Sequence, residues 1–536
     1  MAAGKESPTR ENLLLSLQRR GFRLWVDNGE LKYSAPRGQL TAELASQLRA
    51  FKREIIESLT PSSAQQPAAL PTAAAGSALQ RAEDCLPVSA IQQTMLATYD
   101  RLTRPGFLHI CKIVPITRNL NTELLRESVR CMMRRHTILR ARFNESNEIW
   151  TALMDEQLQL EFEEIDLSGQ EAARGRALAK EAIARLTERR FEIRTGSMLR
   201  AGVVRLDSHR HLLVIVFHHA VSDGRSLEVA LGEIAVTYDR LERGEALAFP
   251  DLPCDFFDVV KYRAQWLGSA DGQWQLNYWK QFFSGVSSTF ELPADAVETV
   301  LPDDTAELIS GDLSADETEA LKRLALEEQT TLFTVVVTAF CVVLSQWGRR
   351  SEAYLWILHH GRWQPELRNL IGCFIDILAL KADLSDARNF REALRAVHGF
   401  YVEAFARREV PSSEVARIID AERGTHQRGT LFNYIPWAWP KSDRERTASP
   451  TDTSDDGAQK AFEALADLPL SRYLETANGT QLLITAYEGP NSVRWILQHD
   501  PLVFRDSTIA ALSASALGLL QEVATGANPP IQHAPS

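Results

Sequence analysis

Along this chain the spacing of apolar residues switches between a period of two and a period near 3.6, and each switch marks an element. FRLWV and LKYS alternate on either side of Asp27-Asn28-Gly29-Glu30. Asn-Gly between two alternating runs predicts a β-hairpin, because both turn positions tolerate positive φ. Before it, Pro8 and the apolar Leu13, Leu14 and Leu17 predict a short helix stopped by Gly21. After it, Leu44, Leu48, Phe51, Ile55 and Leu59 share one helical face up to Pro61. Residues 1–60 are therefore expected to form a separate α-β-β-α unit. Residues 61–85, rich in Ala, Pro, Ser and Gln without an apolar stripe, read as a linker.

From Leu86 onward, strand-like runs (FLHICKIVPI, HLLVIVFHH, AYLWILHH, VRWILQHD) interleave with helix-like ones (LLRESVRCMMRRH, SLEVALGEIAVTYDRL), the pattern of an α/β fold. The longest apolar run, TLFTVVVTAFCVVLSQW, is short for a membrane span and is broken by Thr and Cys, so it predicts a buried core helix. The polar, Asp- and Ser-rich segment Thr447 to Ala458 predicts an exposed loop. Two strands end in a histidine pair, His218-His219 and His359-His360, as two halves of similar build would.

Composition narrows the function. At 536 residues, with 45% hydrophobic and 24% charged, the chain is globular and too long for one ordinary core. A net charge of -11 gives no global basic field for nucleic acid. Residues 1–60 are mildly basic by contrast, and a two-stranded sheet has free edges. This unit could take an extended, acidic partner segment by strand addition; the alternative is the solvated surface of a small cap. Six cysteines without a CxxC pair point to a reducing cytoplasm and to no zinc or disulfide framework. The N-terminal MAAGKESPTRENLLL lacks the apolar core of a signal peptide, so a cytoplasmic location without membrane contact is expected.

Candidate chemistry concentrates in VIVFHHAVSDGRS, Val214 to Ser226. Neighbouring strand residues point to opposite faces, so the two histidines are expected to play different roles. Gly224 permits a tight turn, and Ser226 could cap the helix that follows. A side chain at a strand end beside a helix start lies near oriented N–H groups, a setting that can poise a general base and stabilise an oxyanion. Asp223 could pair with an arginine and hold the turn rigid. A metal site is disfavoured, because adjacent strand residues diverge and no further His/Asp/Glu cluster follows at ligand spacing. No GxSxG elbow, P-loop or GxGxxG occurs. These residues by themselves point to a transferase with one histidine as base, beside the plainer reading of satisfied core histidines.

HHAVSDG (His218 to Gly224) resembles the HHxxxDG signature of nonribosomal peptide synthetase condensation domains, shared with chloramphenicol acetyltransferase-like acyltransferases. Further segments resemble the family in order: LPVSAIQQTML, RHTILRARF, CDFFDVVKYRAQWL with NYWKQFF, and GRWQPELRNLIGCFIDILALK. The resemblance covers about residues 86–525. Residues 1–60 resemble the tubulysin-type β-hairpin docking domain, which catches a short tail of an upstream synthase subunit. Three segments depart from the family pattern: IDIL stands where VNT is usual, REVPSSEVARII where HQDxPFE is usual, and RGTLFNYIPWAW lacks the RDxSRNPL-like form. An unusual donor or acceptor follows as an expectation.

The resemblance implies two acetyltransferase-like subdomains in a V-shaped pseudo-dimer, residues 86–265 and 266–536, with a tunnel between them. It implies an acyl donor carried as a phosphopantetheine thioester on a carrier protein, a small-molecule acceptor entering from the other side, and no bound metal or redox cofactor. His219 would act as general base or orienting acceptor. His218 and Asp223 would support it, with Arg135 or Arg140 as partner of Asp223, and the Gly224 N–H would approach the thioester. In the docking unit, Arg23, Trp25, Lys32 and Tyr33 are the expected contacts to the tail. Without an adenylation or carrier pattern the enzyme is expected to be freestanding, and the architecture resembles ester-forming condensing enzymes of the enacyloxin type. An epimerase, a recruitment platform without catalysis and a coenzyme-A-dependent acyltransferase are the alternatives.

Overall fold

A computed structural model of the chain describes residues 23–27, 30–34, 52, 85–102, 104–247, 249–284, 292–295, 308–423, 429–436 and 480–532. The chain divides into two compact units, Met1–Thr72 and Ala73–Ser536. In the first, β1 (Arg23–Asp27) and β2 (Glu30–Ser34) pair antiparallel as expected, with Asp27 opposite Glu30 and Trp25 opposite Lys32. Among the described residues this is a two-stranded sheet, so each strand keeps one edge without a strand partner. The two helices expected in this unit, the linker over 61–84 and the loop at 447–458 lie outside the described residues.

Among the described residues the second unit holds three sheets. Its first half contains β3 (Leu86–Pro87), β4 (His109–Thr117), β5 (Ala141–Ser146), β6 (Ile149–Met154), β7 (Glu161–Asp166), β8 (Leu199–Arg205) and β9 (Arg210–His218). They form a four-stranded sheet of order β4-β9-β8-β7 and a three-stranded one of order β3-β6-β5. β9 is buried from His211 to His218, so its run of Leu, Val, Ile and Phe faces protein on both sides, as an unbroken apolar strand requires. The second half contributes β10 (Ile309–Leu313), β11 (Glu352–His359), β12 (Asp376–Asp383), β13 (Gly429–Ile435), β14 (Thr480–Glu488) and β15 (Val493–His499). Their order is β10-β15-β14-β13-β11-β12, with β13 parallel to both neighbours. The helix Leu332–Trp347 is largely apolar and lies inside the core of this half, where Val335, Val336, Phe340 and Cys341 are fully buried. Ile509, Leu512, Ala516 and Leu520 of the helix Asp506–Ala524 pack into the same core.

The connection between β11 and β12 joins the halves. Phe374 meets Phe256 edge to face at 5.1 Å, and Arg263 donates to the Gly361 carbonyl at 2.6 Å. Phe256 and Arg263 belong to the helix Phe256–Leu267, so the subdomain division expected at 265/266 falls inside a helix that itself contacts the second half. Gly361 sits at φ +61°, and a Cβ there would lie 1.8 Å from the Phe374 carbonyl oxygen. Both the dihedral and the crowding demand glycine. Gly361→Ala is expected to lower unfolding stability by at least ~2 kcal/mol, read from the urea midpoint; an unchanged midpoint would show that this connection does not hold the halves.

Candidate active site

β9 ends at His218, and the chain turns at once into a single 3-10 turn, His219–Val221. The two histidines therefore diverge because the backbone leaves the strand between them, and strand alternation is not the cause. His218 is fully buried, and its Nδ1 accepts the Ala220 N–H at 3.0 Å, which places the proton of the neutral ring on Nε2. That Nε2 is buried with no hydrogen-bond partner. The ring stands edge-on to Tyr99 at 4.3 Å, and Tyr99 in turn shares a 2.8 Å hydrogen bond with His109, the residue opposite His218 in the sheet. Burial, with His109 and His219 nearby, drives His218 far below the usual imidazole range. His218 is thus a neutral, buried ring.

His219 is half-buried. Its Nδ1 lies 2.9 Å from the Ser222 carbonyl oxygen, which can only accept, so Nδ1 carries the proton and Nε2 keeps its lone pair. Burial lowers the pKa of this imidazole, opposed by the Ser222 hydrogen bond and the Asp223 charge. The ring is therefore in its basic form at neutral pH, and the tautomer points the basic nitrogen away from the turn. Gln92, fully buried on the helix Ala90–Tyr99, ties the turn down by donating to the Ala220 carbonyl at 2.7 Å. LPVSAIQQTML thus supplies a residue of the site that its sequence alone did not mark.

Asp223 caps the helix Gly224–Glu242: its Oδ1 accepts both the N–H and the hydroxyl of Ser226 at 2.8 Å. Ser226, expected as the cap, is the residue being capped. Asp223 is 1% exposed and its cationic partner is Arg362, whose terminal nitrogen lies 2.8 Å from Oδ1 and whose Nε lies 3.3 Å from Oδ2. The Phe374 N–H also donates to Oδ2, at 3.2 Å. Arg362 donates further to the carbonyls of Leu367 at 2.6 Å and Leu370 at 2.8 Å, and its guanidinium stacks 4.1 Å over Phe374. Ser226 Oγ adds a 3.0 Å bond from the Gly372 N–H. Gly224 opens the helix with no atom within 4 Å of where a Cβ would stand, so neither packing nor φ accounts for glycine here, and open space adjoins it.

The expectation that Arg135 or Arg140 pairs with Asp223 is overturned. Arg135 donates to Glu233 at 2.9 Å and to the Pro250 carbonyl at 2.6 Å, while Arg140 pairs with Glu156. What the RHTILRARF segment does bring to the junction is His136, which donates to Glu233 at 3.0 Å and accepts the Ile371 N–H at 3.3 Å. Both arginines sit among the helix and loop contacts of the first half. Local sequence does not mark Arg362 as this partner, because it lies 139 positions from Asp223 and is followed by the mixed polar run Trp363-Gln364-Pro365-Glu366. Arg23, Trp25, Lys32 and Tyr33, expected as docking contacts, lie on β1 and β2, in the other unit.

A Condensation domain model matches residues 82–532, and a TubC N-terminal docking domain model matches residues 11–60. Tyrocidine synthase 3 of Brevibacillus parabrevis is 26% identical over 456 residues, which is 82% of this chain and 6% of that protein. The chain likewise spans less than a tenth of the length of the linear gramicidin synthase proteins of the same organism that it matches (4%, 9% and 8%). Among solved structures, the one described as the molecular basis for condensation domain-mediated chain release from the enacyloxin polyketide synthase has a TM-score of 0.64 at 19% identity, covering 99% of this chain and 97% of that one. The epimerization domain from the third module of tyrocidine synthetase B has a TM-score of 0.66 at 16% identity, covering 82% of this chain and 97% of that one. At these identities the structural likeness shows the fold.

A buried ion pair whose partners come from both halves yields a double-mutant test. Arg362→Met alone is expected to destabilise by about 3–5 kcal/mol, because it strands the Asp223 carboxylate. Adding Asp223→Leu should recover most of that loss. A double variant as unstable as the sum of the two single ones would show that the pair is not coupled.

Proposed function

Because this chain belongs to the condensation-domain family, we propose that it transfers an acyl chain from a carrier-protein phosphopantetheine thioester to an acceptor hydroxyl or amine. His219 Nε2 is the general base. It takes the proton as the acceptor oxygen or nitrogen adds to the thioester carbonyl. The tetrahedral intermediate then expels the thiolate, which recovers the proton, leaving an ester or amide and a free carrier thiol. The N-terminus of the helix Gly224–Glu242 places positive partial charge beside the developing oxyanion. The open space at Gly224 is where the thioester lies close to the backbone. The observation that carries this reading is the tautomer of His219: Nδ1 is committed to Ser222, and Nε2 is left basic.

Residues 1–60 bring the donor. The hairpin of β1 and β2 receives a short C-terminal tail of an upstream synthase subunit along a strand edge, with Arg23, Trp25, Lys32 and Tyr33 as contacts. The acceptor is a freely diffusing small molecule and the product is released from the assembly line.

The test loads a carrier protein with an acyl chain, offers alcohol and amine acceptors, and follows products by mass spectrometry. The wild type should transfer, with kcat/KM falling only below pH 6.5 as the lowered His219 pKa is crossed. His219→Ala should lose on the order of a hundredfold or more. Undiminished transfer in that variant would remove the base assignment, and carrier binding without any transfer would favour recruitment alone. Removing residues 1–60 should cost at least tenfold in kcat/KM with the carrier-bound donor bearing its upstream tail, and little with a small soluble thioester; equal losses would refute the docking role.

A further inference from the structure

The second histidine pair and two of the three departures from the family pattern are far apart along the chain, and the fold brings them to one place. β11 ends at His359, which lies directly across from Asp376, the first residue of β12 and the acidic member of IDIL. Asp376 accepts the Ile377 N–H at 2.8 Å through Oδ1 and the Ser412 N–H at 3.3 Å through Oδ2. Ser412 opens the helix Ser412–Arg423 within REVPSSEVARII. Arg408, the first residue of that same segment, lays its guanidinium 4.6 Å over the Trp363 ring and 4.6 Å over Phe405. Trp363 in turn lies 5.3 Å from the His359 ring and 4.3 Å from the His360 ring. The cluster is continuous with the reaction centre: Arg362, three residues beyond His359, grips Asp223, four residues beyond His219.

The groups have distinct tasks. His360 Nδ1 accepts the Arg362 N–H at 3.0 Å and so serves the connection between the halves. His359 Nδ1 is buried with no hydrogen-bond partner, an arrangement that destabilises the fold and that the fold does not explain. Trp363, Phe405 and Arg408 are half-buried, where the core aromatics Phe374 and Phe390 are fully enclosed. Burial and the neighbouring arginines Arg263 and Arg408 push His359 down to about 3, so it is a neutral hydrogen-bonding group. The charges acting on the histidine pair are the guanidiniums of Arg263, Arg408 and Arg362 against the carboxylates of Asp376 and Asp223; Asp376 already accepts two backbone N–H groups, and Asp223 is paired with Arg362. An ammonium group entering here meets a net positive surface, whereas a neutral hydroxyl meets hydrogen-bonding partners and a flat aromatic wall.

We propose that His359, Trp363, Asp376 and Arg408 form the acceptor pocket of the junction, and that it selects a neutral, hydroxyl-bearing acceptor over an ammonium-bearing one. This rests on the acyl-transfer reading and deepens it, since the bond made is then an ester. The adjacent carboxylate and imidazole hold a second polar group of the acceptor, and the indole of Trp363 packs on its carbon skeleton.

Saturation-transfer NMR on the full chain, with no carrier or donor present, tests this independently of turnover. The probes are 1,2-propanediol and 1-amino-2-propanol, close isosteres that differ in charge at pH 7.5. The wild type should give at least a fivefold stronger signal with the diol. Arg408→Glu should bring the ratio to one or below, and Arg408→Lys should keep it. His359→Ala and Asp376→Asn should each weaken the diol signal several-fold, in chains whose circular dichroism matches wild type. Equal or stronger binding of the amino alcohol to wild type, a ratio unmoved by Arg408→Glu, or no signal from either probe would overturn the pocket. A bound diol whose signal follows these variants, with no acyl transfer in any assay, would instead overturn the acyl-transfer reading alone.

Discussion

The buried pair of Asp223 and Arg362 is the contact on which the rest of the site depends. A carboxylate and a guanidinium, each about 1% exposed, are stable inside protein only when every remaining donor and acceptor finds a partner. Here the partners are structural landmarks. On the carboxylate side they are the first turn of the helix Gly224–Glu242 and the Phe374 N–H. On the guanidinium side they are the Leu367 and Leu370 carbonyls and the Phe374 ring. Satisfying one ion pair therefore fixes the helix start of the first half against the β11–β12 connection of the second. The turn that carries His219 lies between the end of β9 and this anchored helix, with little freedom left.

Two adjacent imidazoles take opposite parts under that constraint. His218, the last residue of β9, is enclosed by Tyr99 and the facing strand, and being far below its ordinary pKa it stays uncharged. His219, one residue on, is held through Nδ1 by the Ser222 carbonyl and presents Nε2. The same chemical group is made inert at one position and basic at the next by a change from strand to 3-10 turn. The difference between the two rings is a matter of backbone path and burial.

Much of this was legible in the sequence where the signal was local. The pairing of β1 with β2, the apolar run of β9 and the largely apolar helix Leu332–Trp347 each follow from their own residues. So does the different setting of His218 and His219, although its cause is the end of the strand. The partner of Asp223 was not legible: Arg362 is 139 positions away, and no spacing rule links them. Arg135 and Arg140 were plausible by proximity to a motif, yet each finds a nearer carboxylate, Glu233 and Glu156. The hydrogen bond of Gln92 to Ala220 was hidden for the same reason, because a glutamine on a helix announces nothing until the fold chooses which face meets the turn.

The chemistry proposed for this junction depends most directly on the protonation state of one ring. A long-range nitrogen–hydrogen correlation spectrum of the full chain with labelled histidines, with His219 assigned by its loss in His219→Gln, reads both its tautomer and its titration. The geometry requires a proton on Nδ1, a bare Nε2 at pH 7, and a midpoint below 6.5. A His219 protonated on Nε2, or one still charged above pH 6.5, would contradict the assignment of this side chain as the base at the junction.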